Sequence, residues 1–408
     1  MNSRDRIIAA LKHEETDRIP VDLGATESSG ITWIAYNNLK KYLGINTETK
    51  VYDLAQLIVL VEEEVLKIIG ADAVPLIIGP KKWKDWEFRK NEKVAIPEKA
   101  NLVKLENGDT VIVSTDGKTF SRLPKDGYYF DTVFHPLEKA NSLQDISGAM
   151  RFLETFDWPG YCDEDYTDLH IKAKKLYEET DFAIVGNLLV HVLAAAQELR
   201  GFGNFMVDIL ANKKFVNELL EKLVEAYLPR IDKYIEAVGP YLNIIEVNDD
   251  LGTQTGLQMK PEVYREMIKP HHKKLWQYIK GKSGGKPLLL HSCGSIYELI
   301  PDIIEMGIDA INPVQVSAAH MDTARLKREY GKYLTFWGGG CDTQEVLPRG
   351  SANDVKREVR KRINDLSGGG GFVFCQVHNI QPDVVAENIL AMYEEAGTLN
   401  YQVQISSV

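Results

Sequence analysis

The 408-residue sequence predicts an α/β fold, a (β/α)8 TIM barrel that forms a single domain over residues 1–408. Short apolar runs alternate with amphipathic segments along the chain, and eight such runs can be counted. Buried parallel strands need continuous apolar runs, and crossover helices must cover the sheet that they form. A doubly wound open sheet is the rival arrangement, but no GxGxxG motif follows the first run.

The eight apolar runs are the predicted strands. In chain order they cover residues 18–23, 73–78, 183–188, 243–248, 287–291, 310–315, 334–338 and 372–377. Each run precedes a segment with helical spacing, such as SIYELIPDIIEMG after the fifth and PDVVAENILAMYEEAG after the eighth. Strand and helix therefore alternate eight times, as the barrel requires.

One segment interrupts this alternation. Between residues 81 and 131 the turn signals NGD, TDG and KDG separate short alternating stretches, a pattern that predicts a β-meander inserted after strand 2. Loops after barrel strands emerge on the active face, so the insertion could form a flap over the mouth. A structural decoration or an oligomer contact is the equally weighted alternative, and the broad barrel flanks leave room for a homodimer.

Composition excludes several classes of protein. The formal net charge of -11 argues against non-specific binding to nucleic acid. No run of about 18 apolar residues is present, and the start MNSRDRIIAALKHEE lacks the apolar core of a signal peptide. The four cysteines are too sparse for a disulfide scaffold and fit a reducing compartment. We therefore expect a cytoplasmic protein that acts on a small molecule.

Soft metal ligands follow three of the predicted strands. His291 and Cys293 are two residues apart, so their side chains leave the same face of an extended backbone and can converge on one ion. Cys341 follows a glycine run in which missing β-carbons would let the backbone approach a ligand. Of Cys375 and His378 we favour His378, because it lies beyond the strand end. Any one of these residues could be a core side chain, but together they predict a zinc site.

Polar residues after other strands are candidate substrate contacts. Glu246, Asn248 and Asp250 share one face of a regular fourth strand and Asp249 takes the other face, although helix capping is the alternative role. We expect Asp250 and Glu27 to act in catalysis. The predicted substrate-binding residues are Asn248, His191, Asn312 and Gln315, of which the last two could instead pack inside the barrel. His271 and His272 diverge on a predicted helix and are expected at the surface.

The segments HSCGSIYELIPDIIEMGIDAINPVQ, LTFWGGGCDTQ and VHNIQPDVVAENILAM resemble the uroporphyrinogen decarboxylase superfamily. The likeness extends to the opening ALKHEETDRIPVDLG and to NDDLGTQTG, and it is greatest to decarboxylase-like members near the corrinoid-dependent methyltransferases. Porphyrinogen decarboxylases carry an RQAGRY segment and an aspartate after strand 2, where this chain reads DLGATESSG and LIIGPKK. Without those arginines a polycarboxylate lacks its bidentate partners, so we do not expect porphyrinogen decarboxylation.

The methyltransferase branch of this family implies a zinc site of the pattern His-x-Cys with a distant Cys. His291 and Cys293 match the first part, and His378 takes the place of the distant Cys, judged from its spacing to Pro382 and Glu387. Cys341 could restore a second thiolate. No DxHxxG cobalamin signature is present, so the resemblance implies cobalamin on a separate corrinoid protein. A metal-independent decarboxylase or lyase of a non-porphyrin acid, and a non-catalytic binding protein, are the alternatives.

Overall fold

The protein was analysed as a computed structural model that describes residues 1–90, 92–114, 117–149 and 161–400. Strands are numbered in chain order over these ranges. They are β1 Val51–Asp53, β2 Ile58–Val59, β3 Ala73–Leu76, β4 Trp83–Arg89, β5 Glu92–Pro97, β6 Leu102–Lys104, β7 Thr110–Val113, β8 Thr119–Leu123, β9 Asp131–Thr132, β10 Ala183–Asn187, β11 Ile244–Asn248, β12 Leu288–His291, β13 Ala310–Asn312, β14 Thr335–Trp337 and β15 Phe372–Val373.

A curled sheet of seven parallel strands forms the centre of the molecule. Its order is β15-β14-β13-β12-β11-β10-β3, so neighbours in space are also successive parallel strands along the chain. The two edges meet at Val21, which makes a parallel bridge to Phe374 and whose carbonyl accepts a hydrogen bond from the Asp72 amide at 2.7 Å. The fold is therefore the predicted TIM-barrel type of α/β architecture, with the first strand reduced to a single bridge.

The strands are shorter than their apolar runs for local reasons. The strand predicted over 310–315 ends at Asn312, because Pro313 has no amide hydrogen for the ladder. The strand predicted over 334–338 ends at Trp337, because Gly338 adopts a φ of 96° and turns the chain out of the sheet. All eight predicted positions nevertheless take part in the barrel.

Helices cover the sheet and one end of the barrel. They are Ser3–Leu11, Trp33–Tyr42, Glu63–Ile69, Leu143–Gly148, Tyr166–Glu179, Leu193–Arg200, Phe202–Ala211, Lys213–Val238, Pro261–Met267, Lys269–Lys282, Ile300–Glu305, Thr323–Tyr330, Val346–Arg349, Ala352–Leu366 and Ala386–Glu395, with short 3-10 turns at Gly239–Tyr241 and Tyr297–Leu299. Ile7 and Ala10 of the first helix pack with the inward-facing side chains of the strands. This helix therefore closes the barrel at the end where the strands begin.

Antiparallel strands occupy the region predicted as an insertion. β4 and β5 pair as a hairpin, and β6 to β9 form a four-stranded meander. Val94, Ile96, Ile112 and Leu123 of these strands belong to the same apolar cluster as the residues between barrel and helices. The segment is therefore packed into the main core as well as connected to it. Among the residues that the structure describes, no helix is long and apolar enough to cross a membrane.

Candidate metal centre

His291, Cys293 and His378 lie together where the barrel strands end. One donor atom from each residue can be chosen so that all three atoms lie within 4.8 Å of one another. The Cys293 Sγ is 3.7 Å from His291 Nε2, and the two imidazole rings have centroids 5.9 Å apart. Two imidazoles and one thiolate with an open fourth position form a donor set that suits a catalytic zinc ion.

Hydrogen bonds fix the orientation of His291. Its Nδ1 lies 3.0 Å from the Oδ1 of Asn312 at the end of the next strand. The same Oδ1 accepts a hydrogen bond from the Ser28 hydroxyl, and Asn312 Nδ2 donates to the Trp337 carbonyl at 3.1 Å. Since the amide oxygen can only accept, the proton of the imidazole belongs on Nδ1 and the lone pair on Nε2 faces the group. Asn312 therefore orients the candidate ligand His291, and the substrate binding predicted for it stays a prediction.

Two side chains hold the turn that carries Cys293 by accepting hydrogen bonds from its backbone amides. Asp250 Oδ1 accepts the Cys293 amide at 2.7 Å, and Gln315 Oε1 accepts the Gly294 amide at 2.6 Å. Asp250 Oδ1 also lies 3.6 Å from His291 Nε2. Asp250 and Gln315 thus contact the turn that carries Cys293, and their predicted action on substrate stays a prediction.

The protonation states of Cys293 and His378 bear on metal binding. Burial, together with the charge of Asp250, holds the pKa of the Cys293 thiol well above its usual range. A divalent cation beside the sulfur reverses that preference, because it stabilises the thiolate directly. Burial and the neighbouring charge of His291 lower the pKa of His378 to about 4, so its imidazole is neutral at pH 7 and free to act as a ligand.

Cys341 does not join this group, so its prediction as a ligand needs correction. Its side chain is fully buried in the main apolar cluster, and its Sγ lies 3.9 Å from the carbonyl of Asp342. The glycines before it do not approach a ligand: a β-carbon on Gly339 would lie 2.7 Å from Val314, and one on Gly340 would lie 2.3 Å from the ring of Phe374. The glycine run serves close packing of neighbouring strands.

Cys375 is also part of the core. It is fully buried among the inward-facing side chains of the barrel, beside Val373 and Trp337. Both residues follow β15, but Cys375 packs inside the barrel, whereas His378, three residues further along, reaches the group at the mouth.

A cavity of about 230 Å³ has His191 in its lining, and His191 lies within electrostatic reach of His291. Glu27 and His191, both predicted as site residues, are among its lining residues, with Tyr52, Asp53 and Tyr161. His191 is close enough to His291 and Asp250 for their charges to act on its pKa, which burial lowers. Burial and the nearby charge of Asp53 raise the pKa of Glu27 to about 8. The cavity thus comes within electrostatic reach of the candidate ligand His291 and holds an uncharged carboxyl group at pH 7.

The polar residues of β11 have distinct partners. Asn248 is buried beside His291 in the ladder between β11 and β12. Glu246 is buried deeper in the barrel and accepts a hydrogen bond through Oε2 from the Asn187 side chain. Burial, together with the charges of Glu27 and Asp22, raises the pKa of Glu246 well above its usual range. Asn248 is therefore the member of this pair that lies at the level of the ligands.

Asp249 and His272 form a buried pair that sequence reasoning missed. His272 Nε2 lies 2.8 Å from Asp249 Oδ2, and the imidazole Nδ1 lies 3.0 Å from the hydroxyl of Tyr264. Asp249 also accepts the amides of residues 192, 193 and 194 at 2.7–3.0 Å, at the start of the Leu193–Arg200 helix. His271 and His272 were expected at the surface, but both are buried because their helix packs against Lys213–Val238. The position of Asp249 next to the predicted site residue Asp250 was the one sequence signal that could have suggested a partner for His272.

Comparisons with known proteins agree with this picture of the fold. A family model described as uroporphyrinogen decarboxylase (URO-D) matches residues 174–399. The uroporphyrinogen decarboxylase of Thermus thermophilus is 24% identical over 184 residues, which are 44% of this chain and 47% of that protein. The enzyme of the same description from a Nostoc species is 25% identical over 218 residues, 51% of this chain and 57% of that protein. The chain thus spans about half the length of these curated relatives.

One solved structure matches over almost the whole chain. It is described as a methyltransferase from Methanosarcina mazei and superposes with a TM-score of 0.60, covering 97% of this chain and 98% of that one. Its sequence is 16% identical, so the likeness shows a shared fold.

Proposed function

The chain belongs to the uroporphyrinogen decarboxylase family, and from that premise we propose that it is a zinc-dependent methyltransferase component. It would transfer a methyl group between a corrinoid protein and a small-molecule donor or thiol acceptor. The observation that carries the proposal is the group formed by His291, Cys293 and His378, which offers three donors and one open position. Donors from two distant segments of the chain converge here, as expected for a metal site.

The protein supplies the ligands and holds them in place. His291 is oriented by Asn312, and the Cys293 turn is anchored by Asp250 and Gln315. When bound, Zn²⁺ would stabilise the thiolate of a substrate as a nucleophile towards methyl, or polarise a methyl donor in the reverse direction. Cobalamin would be carried by a separate corrinoid protein that docks over the barrel mouth.

The cavity beside the group argues against a porphyrinogen substrate. Glu27, Asp53 and Glu198 line it, and Arg230 is the one guanidinium among its described lining residues. A substrate with many carboxylates would find one guanidinium and too few bidentate partners in this cavity. The lining therefore supports the expectation, drawn from the missing RQAGRY segment, that this protein does not decarboxylate a porphyrinogen.

The test combines metal analysis with a methyl-transfer assay. We expect about one zinc ion per chain in the wild-type protein. Zinc and methyl transfer should both be lost in the His291→Ala, Cys293→Ser double variant, and an Asn46→Ala variant in an exposed loop should keep both. Full methyl transfer by protein from which zinc has been removed would overturn the proposal.

A metal-independent carboxy-lyase acting on a non-porphyrin acid is the second candidate. It is favoured by the description of the curated relatives as decarboxylases. The protonated Glu27 could then donate a proton to the carbanion that remains when CO2 leaves. Release of CO2 from a small carboxylic acid, undiminished by chelators and absent in Glu27→Gln, would support this candidate over the first.

A further inference from the structure

The cavity beside the metal ligands has more acidic than basic groups. Its described lining contains the carboxyl groups of Glu27, Asp53 and Glu198 and the guanidinium of Arg230. The phenol rings of Tyr52 and Tyr161 form part of the same wall. Carboxylates and aromatic faces are the groups that stabilise an organic cation in a desolvated site. The lining therefore favours a positively charged ligand over an anionic one.

Two acidic groups of the cavity, Asp53 and Glu27, differ in their hydrogen bonds. The Oδ1 atom of Asp53 accepts hydrogen bonds from the backbone amides of Ala55 and Gln56, at 2.8 and 3.4 Å. No described group donates a hydrogen bond to the Glu27 carboxyl group. The charge of Glu27 acts on Glu246, and the Oε1 atom of Glu246 is buried with no partner among the described residues. A ligand that brings N–H donors or positive charge would supply what this end of the site is missing.

Glu27 is connected to the metal ligands through the chain. It directly precedes Ser28, whose hydroxyl donates to Asn312, and Asn312 in turn accepts a hydrogen bond from His291. On the other side, His191 lines the cavity and lies within electrostatic reach of His291. The cavity lining therefore extends from Glu27 to His191, which lies within electrostatic reach of the ligand group.

We propose that this cavity binds the ammonium end of a small amino-thiol, whose sulfur lies at the group formed by His291, Cys293 and His378. The inference rests on the proposed function, since it assigns the substrate class of the same site. The bound ammonium would stabilise the ionised form of Glu27, whose carboxylate would accept its N–H donors, and Tyr52 or Tyr161 would present a ring face to its charge. A thiol with an anionic end would oppose the ionisation of the same carboxyl groups and would gain no such partner from them.

Three thiols with the same two-carbon spacer test the inference: 2-aminoethanethiol, 2-mercaptoethanol and 2-mercaptoethanesulfonate. Their affinities are measured with cobalt(II)-loaded protein, from the absorption change when a thiolate joins the metal. We expect 2-aminoethanethiol to bind at least about tenfold more tightly than 2-mercaptoethanol, because it gains a charge-assisted hydrogen bond. We expect the sulfonate to bind most weakly of the three. Equal affinities, or tightest binding of the sulfonate, would overturn the amino-thiol assignment and leave the zinc proposal standing.

Matched variants test whether the cavity is the cause of the tighter binding of 2-aminoethanethiol. Glu27→Gln should reduce the ratio of the affinity for 2-aminoethanethiol to the affinity for 2-mercaptoethanol. Glu236→Gln, on an exposed position of the Lys213–Val238 helix, should keep the advantage. Glu198→Gln provides a second cavity variant if the first does not fold. An advantage that survives both cavity variants would contradict the proposal, and failure of all three thiols to change the absorption would contradict the zinc proposal as well.

Discussion

Asn312 decides which nitrogen of His291 is available for a metal. Its amide oxygen accepts from Nδ1 at 3.0 Å and also from Ser28, so the amide cannot rotate without losing both bonds and the one to Trp337. A partner of this kind fixes the tautomer and the ring orientation of a ligand. Metal affinity at this site should therefore depend on a residue that does not itself bind the metal.

Replacement of Asn312 by Ala should weaken zinc binding about 10–100-fold, the usual effect of removing such a partner. Competition with a chromogenic chelator measures the change. Asn46→Ala, in an exposed loop, should bind zinc like the wild type. Unchanged affinity in Asn312→Ala would mean that His291 is held by other contacts.

Asp249 is expected to stabilise the fold only in its ionised form. Burial opposes ionisation, but the hydrogen bond and charge of His272 keep the pKa of Asp249 below its usual value of 3.8. Its stabilisation is therefore present above that value and is lost as pH falls through the lower folded pKa. Asp249→Ala should reduce the free energy of unfolding at pH 7 by about 3–5 kcal/mol, because His272 and three helix amides lose their acceptor.

Urea unfolding at a series of pH values checks this prediction. The difference between wild type and Asp249→Ala should shrink below about pH 4, since the wild-type contribution disappears there. Asp126→Ala, an exposed aspartate in a turn, should be within about 0.5 kcal/mol of wild type throughout. A constant difference down to acidic pH would show that the loss is one of packing alone.

Glu27 should have the opposite effect on stability. Its pKa is raised by burial from 4.5 to about 8, so the unfolded chain releases the proton at lower pH than the folded chain does. Stability therefore falls as pH rises from 4.5 to 8. Glu27→Gln should be more stable than wild type above pH 8 and similar to it below pH 4.5, as measured by thermal unfolding. An identical pH profile in both proteins would contradict this assignment.

At the scale of elements, the antiparallel strands between β3 and β10 are part of the core. Ile96 of β5 is fully buried in the main apolar cluster, whereas Val103 of β6 is 42% exposed. The turn signals of this region predicted its strands, but alternating sequence alone could not show what its apolar face contacts. These strands should therefore contribute to barrel stability in addition to any part in covering the mouth.

Ile96→Ala should lower the free energy of unfolding of the whole protein by about 2–5 kcal/mol, the usual effect of a cavity in a core. Val103→Ala serves as the matched control and should change it by less than about 0.5 kcal/mol. Denaturant unfolding followed by circular dichroism measures both. A separate early transition in Ile96→Ala would mean that the segment unfolds independently of the barrel.

For the whole molecule, the repeated apolar runs of the sequence were enough to predict the fold. The spacing of nearby residues was enough to predict part of the candidate metal site. Eight apolar runs predicted the barrel because strands buried on both faces require apolar residues at nearly every position. The two-residue spacing of His291 and Cys293 predicted that they share a face. Cys341 could not be excluded in this way, because its direction depends on Gly338 and Gly339, which have φ values of 96° and 79°. The pairing of His272 with Asp249 could not be predicted, because His272 is on the Lys269–Lys282 helix and Asp249 follows β11.

The ligand set is tested most directly by the zinc K-edge X-ray absorption spectrum of the purified, zinc-loaded protein. One sulfur at about 2.3 Å and two imidazole nitrogens at about 2.0–2.1 Å are expected, together with one light atom in the open position. Cys341→Ala should leave the spectrum unchanged, and Cys293→Ala should remove the sulfur shell. Two sulfur ligands, or a sulfur shell that persists without Cys293, would contradict the site formed by His291, Cys293 and His378.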